Sequence, residues 1–169
     1  EWHFDRVDVV LSLDEDFLGT GAARLREAHD FAVRRRKENG RNRLYVVESM
    51  PSLTGAMADH RRALSPREIV QLARQLATPN GGSDPWLAAV LRDLQKHRGR
   101  SLVLAGAQQP QEVHAAAHAL NQALGNIGRT IEYRASAHHD HAGPLPALVQ
   151  EMQSGAVEAL CILGGNPVR

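Results

Sequence analysis

The stretch "VDVVLSLDEDF", residues 7–17, decides the fold. Val7 to Leu13 is a short apolar run, β-branched at its start, and reads as a buried strand. From Ala22 to about Lys37, Leu25, Ala28 and Ala32 recur at helical spacing, and Asn39-Gly40 supplies a stop. Leu44 to Val47 is a second apolar run. Strand, helix and strand in this order make a βαβ unit, which requires parallel strands and a right-handed crossover.

Working outward, Glu48 to Leu64 reads as irregular. Ser65-Pro66-Arg67-Glu68 then places an N-cap, a proline at the first helical position and an acid three residues after the cap, so a helix is predicted to about Ala77. Asp84-Pro85 caps another, to about His97. Ser101–Leu104 is predicted as a strand and Gln111–Leu124 as a helix with Val113, Ala117, Leu120 and Leu124 on one face. Thr130–Tyr133 reads as a strand, 134–144 as a polar loop, Leu145–Gln153 as a helix and Val157–Leu163 as a last strand. Strands alternating with helices predict an α/β fold: a doubly wound, mostly parallel Rossmann-like sheet with helices on both faces. "TPNGGSD", residues 78–84, carries turn residues without apolar anchors and is the expected linker between lobes 1–77 and 85–169, in one sheet or two.

With 169 residues, 43% of them hydrophobic, the chain can bury a substantial core. It has no apolar run of membrane-spanning length and no secretory leader, so a soluble piece is expected. The first residue is Glu1, and the last, Arg169, follows a turn, which reads as a portion of a longer protein. Twenty basic residues, all but two of them Arg, face 19 acidic ones, so net charge gives no reason to expect nucleic acid or an anionic membrane surface as partner, and no direct membrane insertion is expected. The Arg34, Arg35, Arg36 and Lys37 run ends a predicted helix, where positive charge complements the macrodipole. The lone Cys161 excludes an internal disulfide, a four-cysteine zinc site and a self-contained iron–sulfur cluster. Between Leu160 and Ile162 it reads as a buried, inert thiol.

No nucleophile elbow, Walker loop or dinucleotide Gly-x-Gly-x-x-Gly occurs, and no catalytic residue is assigned. His114 and His118 have a chelating spacing, but Ala115 stands where the metalloprotease motif needs Glu, and "HHDH", 138–141, sits in a polar loop, so no metal site is assigned. After the first strand, Asp14, Glu15 and Asp16 occupy the turn where an anion-binding fold has glycines, and their charge repels a pyrophosphate. At the other end, Gly164-Gly165 allow close backbone approach, Asn166 offers an amide for a nucleobase edge, and Pro167 stiffens the turn. "VDVVLSLDEDF" and "VEALCILGGNP" (157–167) share a pattern that aligns Asp14 with Gly164 and Asp16 with Asn166, as two equivalent strand-to-turn edges.

Four stretches in order, "DVVLSLDEDFLG" (8–19), "RLYVVESMPSLTGAMADHRRALSP" (43–66), "SLVLAGAQQPQEVHAAAHALNQALGNIGRT" (101–130) and "VEALCILGGNPVR" (157–169), resemble the molybdopterin oxidoreductase family. In that family, strands end in Gly-x-Asn-Pro, Asp-Pro-Arg and Gly-Gly-Asn-Pro. Here Asp14-Glu15-Asp16 and Glu48-Ser49-Met50 replace the first two, while Thr54, Ala58-Asp59, Gly125 to Gly128 and Gly164 to Pro167 remain. "ESMPSLTGAMADHR" looks like the molybdopterin-like region of the large iron–sulfur subunit of bacterial alternative complex III, a membrane quinol oxidoreductase. This branch implies a cofactor-free, non-catalytic scaffold for electron transfer, with iron–sulfur clusters elsewhere in the parent. Its partners would be other subunits of a membrane-bound respiratory complex, on the periplasmic face. Gly164, Gly165, Asn166, Pro167 and Glu48 would then be vestiges of a guanine-dinucleotide site. The alternative implied is part of a genuine molybdenum or tungsten oxidoreductase that binds molybdopterin guanine dinucleotide through them.

Overall fold

The structure, a computed structural model, describes residues 1–21, 23–36, 41–76, 78, 82–134 and 145–162. The chain divides into two units, Glu1–Arg134 and Ala135–Arg169.

The first unit is built on a four-stranded, all-parallel sheet. Its strands are β1 (Val9–Leu13), β2 (Arg43–Glu48), β3 (His60–Ala63) and β4 (Ser101–Ala105), in spatial order β3-β2-β1-β4. The central strand pairs Val9 with Arg43 on one side and Ser101 on the other, and runs in register to Leu13 beside Val47 and Ala105. The sheet thus takes strands from both sides of residues 78–84. The expected βαβ unit is present, with α1 (Arg24–Arg35) between β1 and β2. A short α2 (Leu53–Ala56) precedes β3, α3 (Pro66–Leu76) and α4 (Pro85–Lys96) connect β3 to β4, and α5 (Gln111–Ala123) follows β4. This is the predicted Rossmann-like α/β fold.

Strand alternation divides the core between the two faces. Val9, Leu11, Leu13, Val47 and Val103 pack against Ile69 and Leu72 of α3, Leu87, Val90 and Leu94 of α4, and Val113 of α5. Val10, Leu44, Val46, Leu102 and Leu104 face the other way, toward Phe4, Phe17 and Phe31. Phe4 and Phe17 stack at 4.3 Å between centroids, and Phe31 meets Phe17 edge-on at 5.5 Å. Each such pair adds about 0.5–1.5 kcal/mol beyond area burial.

Both predicted caps form. Ser65 N–H donates to Glu68 Oε2 at 2.8 Å, closing the capping box of α3. Asp84 Oδ1 accepts the N–H groups of Trp86 and Leu87 at the start of α4.

Several expectations need correction. The buried face of α1 carries Glu27, Phe31 and Arg34, while Leu25 is 81% exposed. Phe31 offers more apolar area than the alanine stripe and meets two other rings, which sets the rotation of the helix. Arg34 and Arg35 are bound to Asp8 and Asp59, well beyond complementing a dipole. Residues 48–64 are not all irregular, since α2 and β3 lie there. The predicted strand Thr130–Tyr133 reduces to isolated bridges at Ile131. The Asn126 carbonyl accepts the N–H groups of Arg129, Thr130 and Ile131, and that curls the chain where a strand must extend.

The second unit contains the predicted helix α6 (Leu145–Gln153). The predicted strand Val157–Leu163 does not form over 157–162, where Leu160, Cys161 and Ile162 are exposed. Apolar character alone does not make a strand, whose backbone groups need a paired neighbour; Cys161 is accordingly not a buried thiol. Leu163 lies outside the described residues.

Candidate functional site

In an open parallel sheet, ligands enter beyond the carboxyl ends of the strands, where connections leave in opposite directions. In this order that switch point lies between β1 and β4, with the end of β2 alongside. The residues concerned are Asp14 to Asp16 after β1, Glu48 to Ser52 at the end of β2 and Gly106 to Gln109 after β4.

Asp14 fills the switch point. Its N–H continues the ladder to the Val47 carbonyl at 2.7 Å, and its φ of 61° swings the side chain back over the sheet edge. This left-handed conformation is one that Asp tolerates better than most residues. The carboxylate accepts from Ser49 N–H and Oγ, each at 3.0 Å, and from Gln109 Nε2 at 2.8 Å. Its carbonyl accepts Gln108 Nε2 at 2.7 Å. Gly106 packs so closely that a Cβ there would stand 2.1 Å from the Asp14 carbonyl oxygen. The turns after β1, β2 and β4 are therefore laced together through one residue.

Asp16 does the same between the β1 turn and α2. Its Oδ1 accepts the Thr54 N–H at 2.9 Å and the Thr54 hydroxyl at 2.8 Å, and Thr54 Oγ1 in turn accepts Leu18 N–H. Glu15 has no such partners. Burial, then the nearby Glu27 and Asp16 carboxylates, raise its pKa above its ordinary value, against one Ala107 N–H. Glu27 is raised as well, by burial foremost.

Glu48, a candidate ligand residue, is 2% exposed at the end of β2. Its carboxylate is engaged by Arg61 of β3 and by the hydroxyl of Ser52, the N-cap of α2. Gly55 packs directly on it, since a Cβ there would overlap the Glu48 carboxylate. Together Asp14, Asp16, Glu48 and Gln108 border a cavity of about 230 Å³. The residues that would hold a pyrophosphate do not fit it: the border is acidic, and the N–H groups of Asp14 and Glu15 already donate, to Val47 and to Ser12 Oγ. Gly164, Gly165, Asn166 and Pro167 lie outside the described residues, as do His138 to His141.

Other residues of the resemblance have structural partners. Asp59 caps β2 by accepting Leu44 N–H at 2.8 Å while Arg35 grips it from α1. Burial raises the Asp59 pKa, and Arg35 and the Leu44 N–H more than offset it. Asn126 is fully buried, bonded to Ser101 Oγ and to Asn121. Asn121 pairs with both backbone groups of Val103 and so covers the outer edge of β4. His118 bonds Tyr133 at 2.6 Å. Among the described residues no three His, Cys, Asp or Glu side chains converge to hold a metal ion, and no helix is long and apolar enough to cross a membrane.

Sequence reading did not single out Gln108, Gln109, Ser52 or Arg61, and it noted Ser49 only as part of Glu48-Ser49-Met50. The neighbouring Gln108-Gln109 pair after β4 becomes significant only once β4 is placed beside β1. Of the Gln109 amide, Oε1 is buried without a partner among the described residues. No protein-family model matches the chain, and no curated protein matches it.

Proposed function

We propose that this chain is a non-catalytic, molybdopterin-oxidoreductase-like scaffold within a bacterial quinol oxidoreductase, where it holds other subunits of a membrane-bound electron-transfer complex in place. The supporting observation is Asp14 at the switch point. Where a nucleotide-binding member needs an open crevice, glycines and free N–H groups, this chain has a carboxylate engaged by Ser49 and Gln109. Glu48 is likewise committed to Arg61 and Ser52 rather than free for a ligand hydroxyl. An edge where Asp14, Asp16 and Glu48 are each held by side chains of neighbouring turns contributes rigidity, which suits a part that positions neighbours. Location on the periplasmic face and iron–sulfur clusters elsewhere in the parent belong to the same proposal.

The second reading is part of a genuine molybdenum or tungsten oxidoreductase that binds molybdopterin guanine dinucleotide through Gly164, Gly165, Asn166, Pro167 and Glu48. The unpartnered Gln109 Oε1 favours it, because a buried acceptor at the switch point calls for a donor. Calorimetric titration with GDP, beside Asn166→Ala, separates the two. The scaffold reading expects no saturable heat. Binding near micromolar, about −8 kcal/mol, that the substitution abolishes would overturn it.

A further inference from the structure

The opposite edge of the sheet has a different chemistry. Asp8 precedes β1, Arg43 opens β2 and Arg100 precedes β4, so these residues mark the amino ends of the strands. Two adjoining openings lie here, of about 560 and 380 Å³, sharing Arg34 and Arg100. Eight of the chain's 20 basic side chains line them, against Asp5 and Asp8 alone. The near-balanced net charge conceals this concentration.

Asp8 is already saturated. Arg100 Nε reaches Asp8 Oδ2 at 2.6 Å, its Nη2 donates to Oδ1 at 3.0 Å, and Arg34 binds the same Oδ1. Arg34 is 7% exposed, and its Nε is buried without a partner among the described residues. Burying a guanidinium with an unmet donor is unfavourable and calls for further negative charge. The guanidinium groups of Arg98 and Arg129 are exposed and make no hydrogen bond or ion pair among the described residues. Arg41 and Arg43 are paired with Asp59 and Asp93 outside the lining, Arg6 with Asp5, and Arg34 and Arg100 share Asp8. The surplus positive charge therefore sits on Lys96, Arg98 and Arg129 and on the shared Asp8 pair.

We infer that this amino edge is a docking surface for an acidic polypeptide segment of a partner. The partner's chemistry follows from what lines the openings. No Phe, Tyr or Trp is among the lining residues, and the one aromatic ring, His97, is held by Asp93, so single-stranded nucleic acid has no run of stacking platforms. The N–H groups of Gly99, Arg100, Gly128 and Arg129 all donate to backbone carbonyls, so no nest of free amides cradles an isolated phosphate. What remains is a spread of planar guanidinium forks, which suits several separated carboxylates held bidentately. The inference does not depend on the reading of the carboxyl edge.

The test uses the 169-residue chain and a fluorescein-labelled deca-glutamate peptide, read by anisotropy at low and physiological salt. Saturable binding is expected, weakened by salt. Arg98→Glu with Arg129→Glu is expected to lower affinity about tenfold or more. Arg24→Glu with Arg67→Glu, exposed arginines outside these openings, changes net charge equally and is expected to leave binding nearly unchanged. Circular dichroism checks that both pairs fold. Absence of peptide binding at low salt, equal loss in the two pairs, or tighter binding of decauridylate or inorganic pyrophosphate than of the peptide would each overturn the inference.

Discussion

Gln109 Nε2 donates to Asp14 Oδ2 across 2.8 Å, joining the turn after β4 to the turn after β1 at the point where a doubly wound sheet ordinarily admits its ligand. The two residues are far apart in sequence, so the bond is a long-range tie. Ser49 completes it from β2. A carboxylate of one turn held from two others restrains all three, and this explains how an acidic turn at the switch point is compatible with an ordered edge.

Gly106→Ala tests how tightly that edge is closed. The added Cβ would stand 2.1 Å from the Asp14 carbonyl oxygen, a backbone atom that cannot rotate away. A loss of about 1–3 kcal/mol in urea unfolding is expected. An unchanged midpoint would show that the turns are not in contact.

Gly55→Ala meets a side chain instead, the Glu48 carboxylate. Alone it is expected to cost about 1–3 kcal/mol through overpacking. Glu48→Ala is expected to cost a similar amount, since Arg61 and Ser52 lose their partner. Because removing the carboxylate makes room for the methyl group, the double variant should lose less than the sum, and a double-mutant cycle measures the difference. Simple additivity would contradict the contact.

Glu15 and Glu27 carry raised pKa values, with burial the first cause in each. A raised folded-state value means that their contribution is fully present below the unfolded value of 4.5 and is lost as pH rises through the folded value. Glu15→Gln is therefore expected to raise the melting temperature at neutral pH, with the gain vanishing in acid. An equal gain at both pH values would contradict a cost from burying the Glu15 charge beside other carboxylates.

The opposite sign holds for Asp8, Asp59 and Asp84. In each, burial raises the pKa and arginine contacts, joined at Asp59 and Asp84 by backbone N–H groups, outweigh it, leaving the value below 3.8. Their stabilisation is present above 3.8 and is lost as pH falls through the folded values. Arg62→Met should raise the Asp84 pKa, followed by carboxyl NMR, and move part of that acid-side loss to higher pH. No movement of the Asp84 titration would rule the pair out.

Much of this fold was legible in the sequence because local rules govern its parts. The β-branched run at Val9–Leu13, the Ser65–Glu68 box and the Asp84-Pro85 cap each state their structure within a few residues. Strand β3, with sequence His-Arg-Arg-Ala, was not legible, since it lies exposed at the sheet edge and its pairing with β2 supplies the order that apolar periodicity usually signals. Val157–Ile162 failed in reverse: it is apolar but pairs with no strand among the described residues. At the carboxyl edge, the acidity of Asp14 to Asp16 was readable, but its role was not. That role depends on Ser49, Thr54 and Gln109, which the sheet order and α2 bring in from other turns.

Urea unfolding of Asp14→Asn tests the central claim, that the carboxyl edge is a structural joint. Asn tolerates the left-handed backbone, so the substitution isolates the loss of an acceptor facing Ser49 and Gln109. The joint predicts a loss of about 1–3 kcal/mol, from donors left opposing a donor. A gain in stability, as expected when a strained ligand-binding carboxylate is neutralised, would contradict it.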